Sequence, residues 1–195
     1  MSSHGYTDGD YKLLGLRYPA LDTNPLYFVT QDYYESIFEG VDRLISELYA
    51  QKSSCGGEGQ RAILAGYSQG ALVVHLALRL LAESDPSMLS ASNIAGVMLV
   101  ADPAKTANGS ETVWEGQSLP AGSGVKNASG LWTKAFGALH GPIPSQIAGR
   151  TISICHDHDI FCAPGAHAGV AYHTNYSTGE LKSMGGWLAN EVLDD

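Results

Sequence analysis

Two stretches of this sequence hold residues that could carry out a nucleophilic reaction. One is Gly66-Tyr67-Ser68-Gln69-Gly70, a serine flanked at two removes by glycines. The other is His156-Asp157-His158-Asp159, which lies between Cys155 and Cys162. A serine hydroxyl attacks a carbonyl only if a base takes its proton, and the base needs a carboxylate to fix its tautomer. Well beyond Ser68 the candidate bases are His140, His156, His158, His167 and His173, and the loop after the last apolar strand-length run offers the carboxylates Asp157 and Asp159. Position in the chain does not choose among them.

The G-x-S-x-G pentapeptide is weak evidence by itself. With 23 glycines in 195 residues, chance would place it in roughly one shuffled chain in four. Its surroundings carry more weight. Residues 62–67 (AILAGY) form an apolar run of strand length, and residues 69–83 are rich in alanine and leucine, as a helix would be. Strand, tight turn and helix in that order make a nucleophile elbow, which strains the serine backbone and exposes its hydroxyl. The helix that follows directs its N-terminal N–H groups at the serine, so the Gln69 N–H is the expected oxyanion donor.

The other elements follow from periodicity. Between residues 31 and 51, Tyr34, Ile37, Phe38, Val41, Leu44, Ile45 and Leu48 recur at helical spacing, with Thr30 as the expected N-cap. Residues 11–17, 94–102 and 150–156 read as buried strands, residues 105–145 as irregular, and residues 157–176 as loop. Ser177-Thr178-Gly179-Glu180 is a capping box opening a last helix, with Leu181, Met184, Leu188 and Val192 on its apolar face. Alternation of strand and helix predicts an α/β fold, a parallel sheet covered on both faces in a three-layer α/β/α sandwich. At 195 residues a single domain, 1–195, is the simplest organisation.

Composition narrows the function classes. A net charge of −9 with scattered Lys and Arg argues against nucleic acid as a partner. The best apolar run, residues 71–81, is too short to span a membrane and carries His75 and Arg79. Nothing in the opening residues reads as a signal peptide. The His-Asp-His-Asp run has a metal-binding reading, since His156 and His158 would share a face of a strand. No second ligand pair at zinc spacing accompanies it, so no metal and no cofactor is expected.

Taken together, GYSQG, CHDHDIFC and HTNY resemble the cutinase family of serine esterases. That family's pattern is a G-Y-S-Q-G elbow, a Cys-x-x-x-Asp-x-x-Cys loop and a His-x-x-Tyr, and all three occur here in order. The resemblance implies Ser68 as nucleophile, His173 as base and Asp159 as the acid that orients it. It also implies a Cys155–Cys162 disulfide, whose small loop would stabilise by about 2.5 kcal/mol in the chain-entropy model. A bridge of this kind implies secretion. His158 departs from the pattern, which usually has a small or turn-forming residue there. The implied substrate is a carboxylic ester, whether polyester, lipid or acylated polysaccharide, acted on by a monomer.

At the front of the chain the resemblance is incomplete. The family's first strand and helix, an oxyanion loop of Arg-Gly-Ser type and a cysteine to pair with Cys55 have no counterpart before residue 11. The expectation is a fragment of a longer product, with Cys55 unpaired. An alternative from another class is a catalytically impaired or inactive binding or cell-surface protein on the same fold.

Overall fold

The computed structural model describes residues 12–21, 30–54, 61–114, 125–136 and 141–192. The first element is helix α1 (Gln31–Ser54), started by Thr30, whose Oγ1 accepts the Tyr33 N–H at 3.3 Å. Next come strand β1 (Ala62–Tyr67), helix α2 (Gln69–Ser84), a 3₁₀ turn (Pro86–Leu89) and strand β2 (Ile94–Val100). Then follow β3 (Thr112–Val113), α3 (Leu131–Phe136), α4 (Ser145–Ala148) and β4 (Thr151–Ile154). The one-turn α5 (Val170–His173) and α6 (Thr178–Val192) close the described chain.

The four strands form one parallel sheet in the order β1-β2-β4-β3. Successive side chains of a strand point to opposite faces, and the core divides accordingly. Leu64, Val97 and Leu99 join Ile37, Val41, Leu44, Leu72 and Leu78 of α1 and α2 on one face. Val100, Ile152 and Ile154 join Met184 and Leu188 of α6 on the other. The result is the three-layer α/β/α sandwich expected from the alternation.

One expectation is overturned. Residues 12–17 form no strand, and Leu13 and Leu14 are exposed. A strand needs a ladder to take its N–H and C=O groups, and no described strand lies along this segment. Among the described residues, the sandwich is partly open on one face of β1. Ile63 and Tyr67 on the α6 side of β1 are about half exposed, at 49% and 46%. An open groove of about 440 Å³ runs there, between Ala65, Tyr67, Met98 and Val100 of the sheet and Thr174, Tyr176 and Leu181.

The segment read as irregular contains β3 and α3, and the loop after β4 contains α5. Each is one or two turns or a two-residue strand, too short to imprint a period on the sequence. Cys55 and His140 lie outside the described residues.

Candidate active site

Ser68 is the single residue between β1 and α2, with φ 55° and ψ −119°. A non-glycine residue in this region stores about 1–3 kcal/mol of strain, which the surrounding structure must hold. Its N–H donates to Val100 O at 2.9 Å, tying the turn to the end of β2. At Gly66 a Cβ would lie 2.5 Å from Gly70 O and 2.6 Å from the Ala71 nitrogen, so strand and helix could not meet this closely with any other residue. At Gly70 the nearest atom to such a Cβ is Tyr18 Oη at 3.9 Å, so its glycine is not sterically required.

The structure brings Ser68, His173 and Asp159 into one hydrogen-bonded line. His173 Nε2 is 2.8 Å from Ser68 Oγ, and His173 Nδ1 is 3.1 and 3.0 Å from the two Asp159 oxygens. His173 and Asp159 are fully buried and Ser68 is nearly so. Asp159 also accepts the Phe161 and Cys162 N–H groups at 2.8 and 3.2 Å and the Tyr176 hydroxyl at 2.8 Å. Donors on both oxygens fix the orientation of the carboxylate.

The imidazole of His173 lies between two rings. Tyr67 stacks on it at 5.2 Å between centroids, and Phe161 packs at 4.5 Å. The Tyr67 hydroxyl donates to His173 O at 2.6 Å. Burial, with the Asp159 charge second, raises the pKa of both tyrosine hydroxyls, so they act as neutral donors.

Gln69 opens α2, where the first N–H groups have no acceptor within the helix. Its side chain is pinned away from the serine: Oε1 accepts the Leu21 N–H at 3.1 Å and Nε2 donates to Ser36 Oγ at 3.3 Å.

The other sequence candidates go elsewhere. Asp157 is half-buried and turned to its neighbour, accepting the His158 N–H at 3.0 Å. His158 sits at φ 64°, the left-handed conformation that favours a small or turn-forming residue, and its ring faces His167 and Tyr172. His156 turns to Glu180, with Nε2 2.6 Å from Oε1, and stacks on Tyr176 at 4.0 Å. The two histidines therefore do not share a ligand face, and no group of three or more metal-ligating side chains forms among the described residues. Cys155 and Cys162 are bonded, with Cα atoms 5.9 Å apart, bracing the loop that carries Asp159.

Sequence reasoning missed the contacts of Phe161, Tyr67 and Tyr176. The two tyrosines were visible as motif letters, and a buried tyrosine needs a partner for its hydroxyl. The letters do not say which partner.

Comparison with known proteins gives a consistent relationship. A family model described as Cutinase matches residues 5–192. The carboxylesterases named Culp1 from Mycobacterium tuberculosis and Mycobacterium bovis are each 27% identical over 168 residues, covering 86% of this chain. The chain spans 63% of the length of these relatives. Among solved structures, a cutinase-like protein from Cryptococcus sp. aligns with a TM-score of 0.58 at 24% identity, over 76% of this chain and 67% of that one. An acetylxylan esterase aligns with a TM-score of 0.52 at 19% identity, over 89% and 77%. At these identities the structural likeness speaks for the fold.

Proposed function

The chain belongs to the cutinase family, and from that premise we propose that it hydrolyses carboxylic esters through an acyl-enzyme on Ser68. The observation that carries the reading is the continuous Ser68–His173–Asp159 hydrogen bonding on a strained elbow. Ser68 Oγ attacks the ester carbonyl while its proton passes to His173 Nε2. The oxyanion forms against the Gln69 N–H and the positive end of α2. As it collapses, the bond to the alcohol breaks and His173 returns the proton to the departing oxygen. His173 then takes a proton from water, which attacks the acyl carbon, and Ser68 leaves with that proton. Asp159 stays ionised and holds the ring throughout.

The relatives named as a carboxylesterase, a cutinase-like protein and an acetylxylan esterase support an ester substrate and leave three classes to compare: polyester, lipid and acylated polysaccharide. The Cys155–Cys162 bridge supports an extracellular setting. The test is labelling with a fluorophosphonate, followed by p-nitrophenyl esters of increasing acyl length and an acetylated xylan. Stoichiometric labelling lost in Ser68→Ala, with turnover of at least one ester, is the expected result. A folded chain that neither labels nor turns over would replace the esterase with the binding-protein alternative.

A further inference from the structure

His75 lies two turns into α2, seven residues after Ser68, and is 1% exposed. Its Nδ1 is 2.6 Å from Asp102 Oδ2, and its Nε2 is 3.1 Å from the carbonyl oxygen of Gly141. A carboxylate and a carbonyl can only accept, so both contacts are hydrogen bonds together only when both ring nitrogens carry protons. The pair is a buried imidazolium and carboxylate, and the reaction described above does not use it.

What Asp102 holds leads to the site. Its other oxygen accepts the Ala104 N–H at 2.8 Å, closing the turn after β2. Three successive carbonyls of that turn then dock the start of α3. Pro103 O accepts the Trp132 N–H at 3.0 Å, Ala104 O the Thr133 hydroxyl at 2.7 Å, and Lys105 O the Gly130 N–H at 2.9 Å. The intervening Leu131 N–H donates to Phe161 O at 2.6 Å. Phe161 in turn donates its N–H to Asp159 and packs its ring on His173.

We infer that His75 is a positioning residue for the site: a fixed cation that clamps Asp102 and, through α3 and Phe161, sets the Asp159 loop against His173. Its role in turnover rests on the reaction proposed above, but the clamp itself does not.

The charged groups acting on His75 are Asp102 of the turn and Glu111 just before β3. Lys105 of the turn acts on both of those carboxylates, and the guanidinium of Arg79, one turn on in α2, packs against Gly141. Burial acts most strongly, against the ring's charge. The charge and hydrogen bond of Asp102, with Gly141 O and the Glu111 charge, outweigh it and raise the pKa above the ordinary 6.5. The clamp is therefore fully present below about pH 6.5 and is lost as pH rises through the raised value. Burial moves Lys105 the other way, lowering its pKa, so it is a competing source of an alkaline effect.

The experiment compares the full chain with His75→Gln and with the double variant His75→Gln/Asp102→Asn, which removes the stranded charge if the single variant folds poorly. Hydrogen exchange without substrate should show residues 156–163 less protected in both variants, with α6 unchanged. The rate of fluorophosphonate labelling should fall at alkaline pH in the natural chain and lose that limb in the variants. On the ester turned over best, kcat should drop about tenfold with KM within about twofold. The double variant should regain stability without regaining the alkaline limb. Unchanged protection of residues 156–163 would overturn the clamp, and so would an alkaline limb surviving in the variants, which would belong to Lys105. If the natural chain takes no probe and cleaves no ester, the reaction fails while the exchange comparison still decides the clamp.

Discussion

His173–Asp159 and His75–Asp102 are both buried histidine–aspartate pairs, each aspartate bound to Nδ1 of its ring. They differ in what faces the second nitrogen. His173 Nε2 meets a hydroxyl, which can donate or accept, so the ring can exist neutral and then take up a proton. His75 Nε2 meets a carbonyl, which only accepts, so the ring is held charged. The aspartates differ as well. Asp159 has donors from Phe161, Cys162 and Tyr176 besides its histidine, whereas among the described residues the other oxygen of Asp102 takes a single backbone N–H. The comparison teaches that a His–Asp contact does not define a base; the third group does.

The contrast breaks most visibly when each aspartate is replaced. Asp159→Asn should lower kcat about 10⁴-fold, because the amide favours the wrong tautomer of His173. Asp102→Asn should leave kcat within about tenfold but cost about 3–5 kcal/mol, the usual penalty for leaving half of a buried ion pair. Steady-state kinetics and urea unfolding on both variants give the two ratios. Equal kinetic losses would mean that the third partner does not separate the pairs.

Much of the first pair was legible in the sequence and none of the second. The elbow could be read because Ser68 is next to its strand and helix in the chain, and local context records that neighbourhood. Asp159 and His173 entered only through their resemblance to family motifs, since position left five histidines open. His75 and Asp102 are brought together by the crossover from α2 to β2, and nothing in the spacing of 27 residues announces it. Residues 11–17 misled for the related reason that apolar composition suits a strand but cannot supply the ladder. The capping box at Ser177 and Glu180 was legible because both partners lie within one turn.

The aspartate loops also differ in covalent bracing. The Asp159 loop is closed by Cys155–Cys162, while the turn at Asp102 is held by hydrogen bonds and by its ion pair with His75. Replacing both cysteines by serine should cost about 2.5 kcal/mol, measurable as a lower urea midpoint at unchanged slope. Hydrogen exchange should rise in residues 156–163 and not at the turn. Within the Asp159 shell, Tyr176→Phe removes one of the donors, worth about 1 kcal/mol, and should slow labelling of Ser68 about fivefold. A tyrosine that merely fills space would leave that rate unchanged.

The smallest effect tests the comparison through pH. Glu180 accepts the Ser177 N–H at 2.5 Å with one oxygen and faces His156 with the other. Burial works most strongly to raise its pKa, but hydrogen bonds from Ser177 and His156 outweigh it and hold the pKa below the ordinary 4.5. Its contribution is therefore present above about pH 4.5 and is lost as pH falls through the depressed value, opposite in sign to His75. Glu180→Gln should lower stability by about 1 kcal/mol near pH 7, a Tm shift of about 2–4 °C for a chain of this size. That difference should shrink in acid, where the natural carboxyl is also neutral, whereas the difference made by His75→Gln should shrink in alkali. Two variants whose Tm gaps close at opposite ends of the pH range would show that His75 is the cation of its pair and Glu180 the anion of its own. A His75→Gln gap that instead persists in alkali would mean that the ring is neutral when buried and that Gly141 O faces no proton.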